Sequence, residues 1–588
     1  MDAPSRGRID NNEESGMPSN LIVENDVEMV TSDGVILRAD VYRPEGGGRF
    51  PVLLSRTCYG KGGIPGLMMT INPLRFAREG FAVVVQDVRG RYASEGTHKP
   101  FFEARDGYEA VQWCAQQPWS NGDVGMFGSS YQAASQVQAG GSAPPALRVL
   151  APFQASSNYG EGRVFRGGVF ELGGLASVAM WNQGPGQLRR SGYAGKELHE
   201  KFNELRRALS DMPNFLAATP YESLRDTVMS AAAPQIFEWW DHDDKDDPYW
   251  QELSIESRYG NFTCPALHAT SWYDAMHVGT LRNFEGIRRE GATEQAREGQ
   301  SLIVGPWGHY PPLASLMNAA RLGPVDFGLD AVQDLETTQL NWYRRWLQGN
   351  EAAWKGRSRV RIFVMGRNQW RNEDDWPLKR ARDELFYIGQ KDGAGSLSSG
   401  SAGKEAIDRF TFDPANPVPT RGGAHMLLES VFPQGPLDQR DLESRDDIMV
   451  YKGEPLAEEV EVTGWVRARL WVRSSAPSTD FTAKLVDIWP DGTTINICDG
   501  IRRVTFADLP SQGGWFEVVL EMGATSNAFL PGHRIGAYIS SSNFPRFDLN
   551  PNTGEKPRFA TRRVPAHQEI CLGGATASHL VLPIVRPE

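Results

Sequence analysis

GMFGSSYQAAS, residues 125–135, passes from an apolar stretch into a glycine, two adjacent serines and a tyrosine, then into small residues that can wind into a helix. With Val124 before it and QVQAG after it, the segment reads as strand, tight turn, helix. In an α/β sheet that order is the setting of a nucleophile elbow, where a serine sits on a strained strand-to-helix turn and small neighbours let the backbone pass close to adjacent strands. Gly128 fixes the register: Ser130 takes the nucleophile position and Ser129 the variable one, while Ala133 stands where a closing glycine is expected.

Outward from the elbow, PVLLSRT (51–57), FAVVVQDVRG (81–90), LRVLAPFQA (147–155), PALHATSWYD (265–274) and SLIVGPWGH (301–309) are nearly continuous apolar runs that stop at polar or glycine residues. Such runs suit strands covered on both faces. Helical patterns lie between them at PLRFAREG (73–80) and EARDGYEAVQWCAQQ (103–117), and LIVENDVEMV with VILRADVYRP forms a leading hairpin around Ser32-Asp33-Gly34. The alternation predicts an α/β domain with a mostly parallel sheet over residues 21–155 and 259–350. Residues 156–258 interrupt it with helical, Trp- and Arg-rich sequence, which reads as an inserted helical cap.

From about Gly356 the character changes to period-two alternation, in RVRIFVMG, ELFYIG, RFTFDP, VTGWVRARLWV, DFTAKLVDIWP, WFEVVLEM and HRIGAYISS. Many short strands with Gly, Pro and Asp turns predict a jelly-roll β-sandwich over residues 356–588. DGAGSLSSGSAGK (392–404) reads as a flexible loop and the polar residues 1–20 as a disordered tail.

An acyl-transferring serine needs a base, and the base needs a carboxylate to hold its tautomer. In this kind of sheet they follow the serine in the order acid, then histidine, at later strand ends. Asp274 closes SWYD and His309 closes VGPWGH, so both emerge where catalytic side chains of such a sheet belong. His268 lies inside a strand and His277 follows the acid by only three residues, which makes them weaker competitors. For the oxyanion, Tyr131 supplies the amide after the nucleophile, and the third-strand loop SRTCYGKGG offers the Tyr59 hydroxyl.

These residues resemble the cocaine esterase and X-Pro dipeptidyl-peptidase family of serine hydrolases, which includes α-amino acid ester hydrolases and glutaryl acylases. The resemblance is carried by VQDVRGRYASEG (85–96), PWSNGDVGMFGSSY (118–131), SWYDAMHVG (271–279) and GPWGH (305–309), and runs from about Leu21 to the C-terminus. It implies an α/β-hydrolase domain with an inserted helical cap and a C-terminal jelly roll. It also implies Ser130 as nucleophile, Asp274 as orienting acid, His309 as base, and Tyr59 with the Tyr131 amide as oxyanion donors. The family elbow reads Gly-x-Ser-Tyr-x-Gly, and Ala133 departs from its last position. α-Amino acid ester hydrolases carry acidic residues just after the triad aspartate to bind an ammonium, whereas Ala275, Met276 and His277 follow Asp274 here. That points to an uncharged acyl pocket, with Met276 and Trp181 as candidate substrate contacts.

The implied reaction is hydrolysis of a small-molecule carboxylic ester, with amides as the alternative if Glu171 or the acidic segment Asp241 to Asp247 holds a free amine. A non-catalytic binding protein is the third reading, and the ordered triad argues against it. No metal or organic cofactor is required by this chemistry, and no metal-ligand spacing is seen. With 61 basic and 73 acidic residues and no long run of either sign, the net charge of -12 leaves no nucleic-acid footprint. No segment approaches the ~18 apolar residues of a membrane helix. Five widely spaced cysteines read as free thiols of a cytoplasmic protein. Homo-oligomerisation is left open by the sequence.

Overall fold

The computed structural model describes residues 20–62, 70–309, 320–427 and 431–586. The expected tail, all but its last residue, lies outside the described residues. Among the described residues the first sheet has ten strands: β1 (Leu21–Val30), β2 (Ile36–Pro44), β3 (Phe50–Thr57), β4 (Ala82–Asp87), β5 (Ser120–Ser129), β6 (Leu147–Phe153), β7 (Ala266–Ser271), β8 (Gln300–Gly305), β9 (Val360–Val364) and β10 (Gln369–Glu373). Their spatial order is β1-β2-β4-β3-β5-β6-β7-β8-β9-β10. From β4 to β9 neighbours run parallel, and the pairs at the two ends are antiparallel.

The apolar runs behave as double-sided strands should. Val52, Leu54, Ala82, Val84, Val124 and Met126 point into one core, while Leu53, Val83, Val85 and Phe127 point into the other. The first core is closed by helices α2 (Ala104–Gln116) and α3 (Tyr131–Gly140), through Ala110, Val111, Ala133 and Val137. The second is closed by α1 (Pro73–Arg78) and a helix spanning Leu335–Gln348, whose Tyr343 hydroxyl donates to the Met126 carbonyl at 2.9 Å.

Between β6 and β7 the chain is chiefly short helices around Met180, Leu188, Leu205, Ile236 and Trp240, preceded by a small hairpin, Phe165–Arg166 with Val169–Phe170. Among the described residues the C-terminal region is all β, with twelve strands in one hydrogen-bonded network. Strands Val460–Ser474 and Ser478–Ile488 are not paired with each other, yet Leu470, Val472, Phe481 and Leu485 share one apolar cluster, so two layers pack face to face.

Two segments differ from the sequence expectation. RVRIFVMG belongs to the first sheet, as β9 beside β8, and not to the jelly roll. It alternates because it lies next to the sheet edge, where Arg361 covers the Trp370 ring at 5.1 Å instead of being buried by a helix. DGAGSLSSGSAGK contains a strand, Ala394–Ser398, in a hairpin with Arg382–Lys391. Asp392 and Gly393 turn the chain with φ 54° and 81°, the positive values that a two-residue hairpin turn demands. Leu397 is the buried apolar residue of that strand, so its composition hid it.

Candidate active site

The elbow forms where β5 gives way to α3. Ser130 is held at φ 59° and ψ -119°, a costly region for a residue with a Cβ. Its amide donates to the Phe153 carbonyl of β6 at 2.9 Å, and its carbonyl accepts the first helical bond from Ala134. Gly128 has φ 127°, and a Cβ there would lie 2.4 Å from the Gln132 Cβ, so this position must be glycine. Ala133 is fully buried among Val124, Met126 and Val137, and its methyl group is accommodated.

Past their strands, the β7 and β8 ends stay zipped: the Trp272 amide donates to the Gly305 carbonyl and the Tyr273 amide to that of Trp307. This brings Asp274 and His309 together. His309 Nδ1 is 2.7 Å from Asp274 Oδ1, and His309 Nε2 is 3.0 Å from Ser130 Oγ. All three side chains are buried. The carboxylate is fixed from behind, because Oδ2 accepts from the Thr270 hydroxyl at 2.9 Å and Oδ1 from the Met276 amide at 3.1 Å. The half-buried Tyr59 places its hydroxyl 3.3 Å from Ser130 Oγ. The Tyr131 amide opens α3, where first-turn N–H groups lack an intrahelical acceptor and the helix dipole favours negative charge.

The competing histidines are committed elsewhere. His268 shares a hydrogen bond with Gln300 at 2.8 Å, and burial lowers its pKa to about 4. His277 bonds the Asp274 carbonyl through Nδ1 at 2.7 Å and is likewise lowered to about 4 by burial.

Several partners have no local signature in the sequence. The Tyr131 hydroxyl donates to Glu103 at 2.6 Å, and Glu103 is paired at 2.5 Å with Arg56, which is wholly buried in β3. His98 Nε2 lies 3.1 Å from the same hydroxyl, its pKa pushed down to about 3 by burial and by Arg91 and Arg190. Ser129 is more than a neighbour: its hydroxyl donates to Gln154, whose amide donates to the Gly308 carbonyl beside His309. The elbow and the histidine loop are thereby tied together.

The two candidate substrate contacts separate. Met276 is buried with Ala275 and Met426 against Val178 of the inserted region, next to the acid. Trp181 is 57% exposed on the turn Val178–Gln183, whose Ala179, Met180 and Gln183 face inward, so it lies on the outer side and outside that cluster. Glu171 is fully buried and surrounded by Arg163, Arg166 and Arg546 at 3.3–3.5 Å, so its charge is already answered.

Residues 33–311 match the model of the X-Pro dipeptidyl-peptidase (S15 family), and residues 352–581 match that of the X-Pro dipeptidyl-peptidase C-terminal non-catalytic domain. The chain is also 38% identical over 599 residues to the cocaine esterase of Rhodococcus sp. (strain MB1 Bresler), covering 96% of this chain and 99% of that one. The chain belongs to the S15 family. Its fold is shared with an α-amino acid ester hydrolase, at TM-score 0.77 and 23% identity over 99% of this chain and 100% of that one. An aminopeptidase from a marine-sediment Thaumarchaeota archaeon gives the same TM-score and identity over 98% and 100%. Within this S15 architecture the serine, acid and histidine loops meet at the carboxyl ends of β5, β7 and β8, where an open α/β sheet binds its ligands.

Proposed function

We propose that the protein hydrolyses neutral carboxylic esters through an acyl-enzyme, with Ser130, His309 and Asp274 as its triad. Ser130 Oγ attacks the ester carbonyl while His309 Nε2 takes its proton. Asp274 keeps the proton on Nδ1 and stabilises the imidazolium. The oxyanion rests between the Tyr59 hydroxyl and the Tyr131 amide. His309 then protonates the leaving alkoxide, and a water deprotonated by His309 releases the acid.

The observation that carries this reading is the unbroken chain from Asp274 through His309 to Ser130, at 2.7 and 3.0 Å. The likeness to a cocaine esterase supports ester chemistry. An uncharged acyl group fits Met276 in its apolar cluster beside the acid. The family's description as dipeptidyl-peptidases favours amide hydrolysis as the second reading. That activity needs a carboxylate for the substrate's amine, and Glu171 is taken by three arginines.

The same reading takes residues 156–258 as a cap over this cleft and residues 21–155 with 259–350 as the catalytic unit, extended by β9 and β10. It places the protein in the cytoplasm, in keeping with five cysteines that are all free and buried. Ser130→Ala is expected to lower kcat on p-nitrophenyl acetate by about 10⁶. Turnover at the wild-type rate would sink the assignment. A kcat/KM higher for amino-acyl p-nitroanilides than for neutral esters would favour the amide reading instead.

A further inference from the structure

We propose, on the triad reading above, that His277 is a positioning residue for the acid: a neutral imidazole, oriented by the jelly roll, whose Nδ1–H holds the Asp274 main chain so that the carboxylate stays on His309. His277 opens helix His277–Glu290, three residues after the acid, and is 3% exposed. The turn between them is tight, since the Asp274 amide donates to the Ser271 carbonyl at 3.0 Å and the His277 amide to the Asp274 carbonyl at 3.2 Å. His277 Nδ1 reaches that same carbonyl at 2.7 Å. Met276, whose amide holds Asp274 Oδ1 at 3.1 Å, lies inside this turn, and Oδ1 is the oxygen 2.7 Å from His309 Nδ1. Whatever fixes the turn therefore fixes the carboxylate.

The proton on this ring is assigned by its partners. A carbonyl oxygen only accepts, so Nδ1 carries the hydrogen. The Ala524 amide of the jelly-roll strand Trp515–Phe529 lies 3.3 Å from Nε2, and an amide N–H only donates, so Nε2 is the bare nitrogen. The strand is shaped for this contact. Against strand Val460–Ser474, Trp465 pairs with Ala524 and Arg467 with Glu521, so the single residue Val466 stands opposite two, Met522 and Gly523. Such a bulge bends a strand and re-aims its groups. Gly523 has φ 83°, and a Cβ there would lie 2.7 Å from His277 Nε2, so glycine leaves the ring its place.

The surroundings keep the ring neutral. Burial lowers its pKa to about 4, and Arg166 and Arg546 push the same way against the pull of Asp274. With one nitrogen given to the acid and the other to the jelly roll, the ring is occupied at both ends, and orientation is the task left to it. Arg166 also donates to the Ala275 carbonyl, so the inserted region grips the next peptide of the same turn. A packing role would need the volume of the imidazole and not its Nδ1–H, and that difference makes the role testable.

Substitutions that keep or remove a donor at the Nδ1 position test it in the full chain, with kcat counted per active site titrated to completion by a fluorophosphonate and folding checked by near-UV circular dichroism. His277→Leu and His277→Gln lack a donor at that place. Their kcat on p-nitrophenyl acetate is expected to fall about ten- to hundredfold, the cost of a small misplacement, with KM within about threefold of wild type. His277→Asn puts an amide nitrogen where Nδ1 stands and is expected to stay within about fivefold of the wild-type kcat. If His277 only packs, the order reverses, because leucine suits an apolar site better than asparagine. A kcat higher in His277→Leu than in His277→Asn, or a folded Leu or Gln variant within threefold of wild type, overturns the proposal. Loss of the fold in His277→Asn, or in both donorless variants, would make His277 a packing residue and overturn it too. Wild-type protein that resists the fluorophosphonate, or Ser130→Ala at the wild-type rate, would instead sink the triad reading itself.

Discussion

Tyr59 is where a single oxygen atom can be weighed. Its ring packs edge-on to Tyr131 with centroids 6.3 Å apart, and its hydroxyl reaches to 3.3 Å from Ser130 Oγ. Tyr59→Phe keeps the ring and removes only the donor. Since loss of one oxyanion donor costs ~10² to 10³ in rate, kcat for p-nitrophenyl acetate is expected to fall by that factor with KM changed less than about threefold. A kcat within threefold of wild type would remove Tyr59 from the oxyanion hole. The proposed triad is legible in sequence because each member follows an apolar run, and in a parallel sheet such runs deliver their last residues to one edge. The ties behind it are not legible, since the Tyr131 hydroxyl meets Glu103 from 28 positions away. One trace was available: an arginine inside the apolar run PVLLSRT is out of place unless paired, and Arg56 is paired.

At the scale of elements, α3 tests how much the elbow depends on its closing glycine. The methyl of Ala133 packs with Val124, Met126 and Val137 with no residual exposure, so the helix has been built around it. Ala133→Gly removes that methyl and adds the ~1 kcal/mol backbone penalty of glycine in a helix. The sum is a destabilisation of about 1–2 kcal/mol, readable as a lower urea midpoint, with ester kcat within twofold of wild type. A variant more stable than wild type would mean the alanine strains the elbow. The strands of the first sheet are readable except the last two: period two reports which faces of β9 are covered and not which sheet it joins, and β10, QWRNE, has no apolar run to mark it as a strand. The hairpin around Asp392-Gly393 was missed for a related reason. Its turn signal was present, but its serine- and glycine-rich second strand has little apolar pattern to carry a strand assignment.

At the scale of the molecule, the two sheets are bound to each other through the site. Gln434, in the jelly-roll connection between strands Ile407–Phe412 and Met449–Lys452, accepts from the His309 amide at 3.2 Å, and the Met365 amide after β9 donates to the Ser526 carbonyl at 3.0 Å. One contact of this junction is electrostatically awkward. Glu285, on helix His277–Glu290, accepts from the Trp465 indole of the jelly roll at 3.1 Å. Burial pushes its pKa up to about 7, although Trp465, Arg282 and Arg289 pull the other way. A carboxyl group whose folded pKa lies above its unfolded value binds protons more readily when folded. Its contribution is therefore fully present below about pH 4.5 and is lost as the pH rises through 7. A rise of that size corresponds to a loss on the order of 1–3 kcal/mol across the window. Glu285→Gln keeps an acceptor for Trp465 and cannot ionise. Differential scanning calorimetry is expected to show its Tm falling less steeply than that of wild type between pH 4.5 and 8. The two proteins should melt within about a degree of each other at pH 4.5, with the variant higher by roughly 1–3 °C at pH 8. Parallel pH profiles would mean that Glu285 stays ionised at the junction and that its burial is offset by charges on the helix.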